Sequence, residues 1–325
     1  MNNNLKSILK DIEAAVDELD FGTEPLNLYS PLDYMMNLRG KRIRPLLTLL
    51  SYSLFKPDYQ SIMKAALSVE AFHNFTLIHD DIMDNAPLRR GKATVHKKWN
   101  SNIGILSGDV MLVEAYKLLS IGAAEEHLKD AMQAFNSCAK GVCEGQQLDM
   151  DFEVRNDVSL EEYIEMIRLK TAVLAGYSLE LGAILGGAKE EDRLALRQFG
   201  ENIGIAFQLK DDLLDAFGDG SKVGKQKGGD IISNKKTFLL IEAFRLAENN
   251  DLTLLQSWTS KEEFDPKEKV EAVLAIFEDL DLRKHCEQQM NAYFQIAINS
   301  LIGFAESDGK SNLLALADFL MVREN

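Results

Sequence analysis

Sustained helical periodicity constrains this chain more than any other feature. Between residues 59 and 217 apolar side chains recur at spacings of three and four with few interruptions. The pattern predicts helices over 59–84, 102–121, 126–151, 159–187 and 190–217. Each would be roughly 30–40 Å long at a rise of about 1.5 Å per residue. Stripes of that length are buried most simply against one another. Further helical patterns fall at 2–20, 42–55, 235–249, 266–279, 283–304 and 311–323. Several ends are marked. Pro45 sits near the start of 42–55, where a missing N–H costs little. Ser159 followed by Glu162 has the form of a capping box, and Gly186-Gly187 and Gly218 to Gly220 are stop signals. No Val/Ile/Thr-rich run alternates between turn residues, so no strand is expected. Neither a repeat nor a Ser/Gly linker divides the chain. The expectation is a single all-α domain over residues 1–325, built around a deep helical bundle.

Composition narrows the function. Thirty-six Lys and Arg stand against 51 Asp and Glu, a formal net charge of −15. That balance argues against generic nucleic-acid binding, which needs a basic surface to displace counterions. Hydrophobic residues at 46 % exclude global disorder. Cys138, Cys143 and Cys286 form no Cys-x-x-Cys pair, so neither a zinc site nor a disulfide framework is expected, in keeping with a reducing cytosol. The segment MNNNLKSILKDIEAAVDELD is amphipathic and charged rather than signal-like. No run approaches the ~18 uninterrupted apolar residues of a membrane span. A soluble, acidic, cytoplasmic protein is expected, with no nucleic-acid partner and no transmembrane segment.

Two clusters of acid stand where a helix disfavours them. In Leu77-Ile78-His79-Asp80-Asp81-Ile82-Met83-Asp84, Asp80 and Asp84 share a helix face and Asp81 lies about 100° round from Asp80. The pattern stops near Asn85-Ala86-Pro87, so these carboxylates occupy the last turn, at the negative end of the macrodipole. Gln208-Leu209-Lys210-Asp211-Asp212-Leu213-Leu214-Asp215, running into Gly218, repeats the arrangement. A solvated acidic face would explain one such cluster in an acidic chain, but explains two copies of Asp-Asp-x-x-Asp at two helix ends poorly. Six carboxylates against the dipole call for cations, and all-oxygen sites of high charge suit Mg²⁺, which completes its octahedron with water and phosphate oxygens.

The basic residues are as uneven as the acids. Arg39, Lys41, Arg42 and Arg44 lie together without an acid, as do Arg89, Arg90, Lys92, Lys97 and Lys98. Residues 222–236 hold Lys222, Lys225, Lys227, Lys235 and Lys236 against Asp230 alone. The second and third basic stretches directly follow the two Asp clusters. Any one of them could be an ordinary connecting loop. All three in this order, beside acid clusters suited to metals, suggest binding of a diphosphate.

Gly40-Lys41-Arg42-Ile43-Arg44-Pro45, Asp80-Asp81-Ile82-Met83-Asp84 with Arg89-Arg90-Gly91, Lys170-Thr171, and Phe207-Gln208-Leu209-Lys210-Asp211-Asp212-Leu213-Leu214-Asp215 resemble the trans-isoprenyl diphosphate synthases, or polyprenyl synthases. The match runs from Gly40 to about Thr237, in family order. One Asp-Asp-x-x-Asp would be a weak signal, since terpene cyclases carry one. The pair with Gly-Lys-Arg-x-Arg-Pro and the double Arg is far more specific.

The resemblance implies a helical domain around a deep central cavity, with the two aspartate motifs facing each other. Asp80, Asp81 and Asp84, with Asp211, Asp212 and Asp215, would grip three Mg²⁺ ions bridged by the diphosphate of an allylic substrate. Arg89, Lys170 and Lys225 match residues holding that diphosphate, and Lys235 a further basic position near it. Lys41, Arg44, His73 and Arg90 match residues binding isopentenyl diphosphate. Thr171 and Gln208 match groups lining the place where the carbocation forms. His73 taken alone reads as a satisfied histidine, but it lies seven residues before Asp80 on nearly the same face. His79 reads as structural. The family's Gly-Lys-Pro after the second motif is here Gly224-Lys225-Gln226, and Gly-Lys-x-Thr is Asn234-Lys235-Lys236-Thr237. Both keep the lysines, so the departures bear on loop shape. Arg323 is one further diphosphate contact to consider.

The activity implied is head-to-tail, trans condensation of isopentenyl diphosphate with an allylic diphosphate, by a homodimer. A terpene cyclase would lack the second motif and the isopentenyl site. A non-catalytic subunit of a heteromeric synthase would have lost aspartates, and all six stand. In the family, bulky residues one to two turns before the first motif close the product tunnel. Phe75 and Thr76 hold those places here, and Thr76 shares Asp80's face on an ideal helix. An aromatic at position 75, without an insertion in the first motif, resembles the geranylgeranyl type. A 20-carbon product is therefore expected, with the 15-carbon farnesyl product as the alternative.

Overall fold

The computed structural model describes residues 3–38, 40–218 and 228–322, and among them helix dominates. Contacts group the chain into two compact units. One comprises residues 1–138, 174–197 and 303–316, the other 139–173, 198–302 and 317–325.

In the first unit, α1 (Asn3–Asp17) buries Leu5, Ile8, Ile12 and Val16, a stripe at helical spacing. The next helix, α2 (Leu26–Asn37), was not among the expected elements because Pro31 interrupts its pattern. α3 (Ile43–Tyr52) follows, and a 3₁₀ turn at Tyr59–Ile62 leads into α4 (Met63–Met83). After it, β1 (Leu88–Arg89) and β2 (Lys92–Ala93) form a two-residue antiparallel hairpin, an element too short for any sequence pattern to show. Then come α5 (Val95–Lys98) and α6 (Ser101–Gly122). α6 lies against α4 through its small residues: a Cβ on Gly108 would stand 2.2 Å from His79 Nε2, and one on Gly122 2.2 Å from the backbone nitrogen of Ala65. Gly108, Ala115 and Gly122 recur every seven residues, so one face of α6 lets α4 approach closely along its length. The opposite face carries Leu106, Val113 and Ile121, all exposed.

α7 (Glu125–Val154) is followed by α8 (Leu160–Ile167), opened by the expected capping box between Ser159 and Glu162. A π-helical turn, Arg168–Ala172, joins it to α9 (Val173–Gly186). One stretch, Leu160–Gly186, is long and apolar enough to cross a membrane by composition; 72 % of its apolar window is buried inside the protein, as in a core helix. α10 (Glu190–Phe217) ends in the second aspartate cluster. The remaining helices are α11 (Gly229–Ile232), α12 (Phe238–Leu246), α13 (Asn249–Ser260), α14 (Pro266–Asp279), α15 (Leu282–Ser300) and α16 (Asp308–Val322). The helix expected over 235–249 is α12, which ends at Leu246, and α13 was not among the expected elements. Leu209, Phe238, Leu240, Val273, Phe277 and Leu282 belong to the core of the second unit.

Candidate active site

In the first unit the aspartate motif closes α4, with Asp84 as its C-cap. The three carboxylates diverge. Asp84 is exposed, Asp80 is half-buried, and Asp81 is buried. Asp81 accepts from Arg89 on both oxygens: Nε lies 2.9 Å from Oδ1 and 2.8 Å from Oδ2, and Nη2 2.7 Å from Oδ1. This two-oxygen pairing fixes a planar guanidinium where a point charge would swing.

The hairpin explains the double Arg. Arg90 and Gly91 both have positive φ, 51° and 73°, as a two-residue turn twisting with its strands requires. Glycine takes that conformation freely, whereas at Arg90 it costs about 1 kcal/mol. The turn sends Arg89 to Asp81 and Arg90 to the segment before α3, where Nη1 donates to the Leu38 carbonyl at 2.6 Å. Its guanidinium lies so close to Gly40 that a Cβ there would be 2.7 Å from Nη1. Gly40 in the Gly-Lys-Arg segment is thus a place for Arg90 to lie.

Arg42 also has a positive φ, 48°. It is buried, donating to Glu70 Oε1 at 2.6 Å, the Met36 carbonyl at 2.5 Å and Glu13 Oε1 at 3.3 Å. Such a pair holds one geometry because breaking it strands a buried charge, at about 3–5 kcal/mol. Arg42 thereby anchors the turn that carries Lys41, which is exposed, and Arg44, which is half-buried. Arg44 Nη1 lies 3.0 Å from His73 Nε2. A guanidinium only donates, so Nε2 accepts and the ring proton sits on Nδ1. Burial, then Arg44 and Arg90, push the His73 imidazole well below its usual range. Arg44 Nε is buried and meets no hydrogen-bond partner among the described residues.

Thr76 donates to the His73 carbonyl at 2.8 Å. The Phe75 ring packs against Phe72 and His79, with centroids 5.6 and 4.8 Å apart. His79 Nε2 itself is 3.1 Å from the Ile105 carbonyl.

In the second unit, Lys170 and Thr171 stand in the π-helical turn. Two glycines admit it: a Cβ on Gly145 of α7 would be 2.2 Å from Lys170 N, and one on Gly204 of α10 2.7 Å from Ala172 Cα. Such turns widen a helix locally and often occur at functional sites. Lys170 Nζ lies 2.5 Å from Asp149 Oδ2, and Lys235 Nζ approaches the same oxygen at 3.9 Å. Asp149 was not among the expected site residues; it is one acid among several on α7, and only the fold brings it to the two lysines.

Asp212 is buried as Asp81 is. It accepts from the Tyr163 hydroxyl, from the Phe238 backbone N–H at 3.3 Å and from Gln208 Nε2 at 3.3 Å. Burial pushes its carboxyl up to about 7, although the bonds from Tyr163 and Gln208 favour the ionised form. Lys235 is close enough to pull the same way. Asp215 accepts the Asp230 N–H at 3.0 Å, while its backbone carbonyl accepts from Gly228 N at 2.9 Å, where the chain re-enters α11. Asp211 is exposed. Lys225 and Arg323 lie outside the described residues.

The donor set suits Mg²⁺. In each unit the first aspartate of the motif keeps solvent access while its neighbour is bonded inside the protein, and Mg²⁺ takes one or two carboxylates and fills the rest with water and phosphate oxygens. Arg44 Nε is a donor awaiting an acceptor, which an oxyanion supplies.

A profile of the polyprenyl synthetase family matches residues 25–277. Geranylgeranyl pyrophosphate synthase of Geoglobus acetivorans is 36 % identical over 326 residues, 99 % of this chain and 100 % of that protein. Geranylgeranyl diphosphate synthase of Methanosarcina mazei is 36 % identical over 323 residues, 99 % of this chain and 98 % of that one. A crystal structure of a geranylgeranyl pyrophosphate synthase superposes with a TM-score of 0.94 at 43 % identity, covering 100 % of both chains.

Proposed function

Because the chain belongs to the polyprenyl synthetase family and is a trans-prenyltransferase, we propose that it extends allylic diphosphates with isopentenyl diphosphate, dependent on Mg²⁺, to geranylgeranyl diphosphate. The observation that carries the reading is the basic groups set beside acids in each unit: Arg89 on Asp81 of the first aspartate motif in one, and in the other Lys170 and Lys235 beside Asp149, with Lys235 also near enough to act on Asp212 of the second motif.

Asp80, Asp84 and Asp211 keep solvent access, and we assign metal ligation to them. Asp81, Asp212 and Asp215, bonded within the protein, orient their surroundings. Mg²⁺, when bound, neutralises the leaving diphosphate. Arg89, Lys170, Lys225 and Lys235 hold that same diphosphate, so the allylic C–O bond breaks with its electron pair on oxygen. Lys41, Arg44, His73 and Arg90 hold isopentenyl diphosphate with its double bond toward the cation. That bond attacks, a C–C bond forms, and the proton lost from the adjacent carbon passes to the departed diphosphate. Thr171 and Gln208 line the place where the positive charge develops. Phe75, with Thr76, limits the chain, and the names of the relatives support 20 carbons.

We further propose a cytoplasmic homodimer whose catalytic domain spans residues 1–325. The exposed apolar face of α6 supports pairing with a second copy, and the free thiols of all three cysteines suit a reducing compartment. Sedimentation at micromolar concentration tests the dimer; a monomer refutes it. Labelled isopentenyl diphosphate with a 5-, 10- or 15-carbon primer tests the chemistry. A Mg²⁺-dependent 20-carbon product is expected. No incorporation with any primer overturns the enzyme reading, and a 15-carbon end product overturns the product assignment alone.

A further inference from the structure

Lys269 of α14 is fully buried, and the partners its ammonium finds are neutral. It donates to the Ile232 carbonyl at 3.1 Å and to Asn234 Oδ1 at 2.7 Å, and stands 4.2 Å from the centroid of the Phe264 ring. Burial lowers its proton affinity below the ordinary lysine value. A dry ammonium held by two neutral oxygens and a ring is a poor way to fill a core, since an apolar side chain of that length would be at least as stable.

Its partner Asn234 is held in a conformation that non-glycine residues avoid, with φ 54°. Asn234 Nδ2 donates to the Thr259 carbonyl at 3.0 Å, so the amide is gripped from both ends. The next residue is Lys235. Its backbone N–H donates to the Asp230 carbonyl at 2.9 Å, and its carbonyl accepts from Thr237 N at 2.8 Å. Beyond it the Phe238 N–H reaches Asp212, and before it the Asp230 N–H reaches Asp215. Residues 230–238 therefore form one hydrogen-bonded strap along the second aspartate motif, with its sharpest bend at Asn234.

We propose that Lys269 is a positioning residue: by fastening Asn234 in its left-handed bend, it aims Lys235 toward the Asp149–Lys170 pair and the allylic diphosphate. This rests on the reading of Lys235 as a diphosphate contact. It explains why a charged side chain is kept in an apolar place. A methionine fills the space but cannot hold the Asn234 oxygen.

The test is steady-state kinetics of the full-length enzyme with Mg²⁺, varying a 15-carbon allylic diphosphate at saturating isopentenyl diphosphate, and then the reverse. Lys269→Met and Asn234→Ala should each raise the allylic KM about five- to tenfold, as expected for losing a hydrogen bond to a charged group. In both, kcat should stay within about twofold and the isopentenyl KM should not move, because only substrate binding at one site has been disturbed. The double variant should be no worse than the more damaging single, since both break one link. Asn234→Asp keeps the acceptor for Lys269 but loses the donor to the Thr259 carbonyl, so its allylic KM should lie between those of wild type and Asn234→Ala. Lys269→Met with wild-type allylic KM, or effects that multiply in the double variant, would overturn the inference. Lys235→Ala separates the two levels. If it leaves the allylic KM unchanged, the assignment of Lys235 falls and the inference with it. If it raises that KM while Lys269→Met does not, the inference alone falls. A fold that melts earlier in Lys269→Met, with unchanged KM, likewise counts against it.

Discussion

Arg89 engages both oxygens of Asp81, with Nε at 2.9 and 2.8 Å. The middle carboxylate of the first motif is thereby committed to an arginine, while Asp80 on the same helix keeps solvent access. Neighbouring acids of one motif thus stand in different environments.

Their variants should fail differently. Asp80→Asn should lower kcat by about 10³-fold or more and raise the Mg²⁺ concentration needed for half-maximal rate. Asp81→Asn releases Arg89, so it should raise the allylic KM by about tenfold and leave the Mg²⁺ midpoint in place. Metal titrations of the two variants, followed by initial rate, check this.

Asp212 gives a pH-dependent prediction for the metal-free protein. Its folded carboxyl is raised from 3.8 to about 7 by burial. Between those values the folded state holds a proton that the unfolded state has lost. Its contribution is present in full below the unfolded value and is lost as pH rises through about 7. Thermal midpoints of wild type minus Asp212→Asn should therefore fall between pH 4 and pH 8; a flat difference would show that burial does not control this group.

His73 works in the opposite sense. Its pKa lies well below 6.5 because of burial and Arg44, so at neutral pH it is an uncharged acceptor. In the ¹⁵N spectrum it should stay in the Nδ1–H tautomer from pH 8 down to pH 6. The stability it contributes is lost as pH falls below its unfolded value of 6.5. His73→Ala should raise the isopentenyl KM by about tenfold, leaving the allylic KM alone.

Phe75→Ala should lengthen the product. The half-buried ring packs against Phe72 and His79, and truncating it leaves a void that an isoprene unit can enter. Chromatography of the dephosphorylated products should show chains beyond 20 carbons; an unchanged profile would remove Phe75 from length control.

The sequence by itself determined the long helices between residues 59 and 217, both aspartate clusters at helix ends, and the basic stretches that follow them. It could do so because these are local properties: a period of 3.6 residues fixes angles about a helix axis, and a proline or a glycine pair marks where the helix stops. Tertiary structure alone decided which aspartate of each trio turns inward, since the roughly 100° between Asp80 and Asp81 says nothing of what stands opposite. The turn at Arg90-Gly91 brings Arg89 to Asp81. Gly145 and Gly204 admit the π-helical turn that carries Lys170. Asp149, Tyr163 and Lys269 acquire their partners only across long stretches of chain. Those contacts depend on how closely two backbones approach, and at Lys170 that distance is set where Gly145 and Gly204 lack a Cβ against the turn.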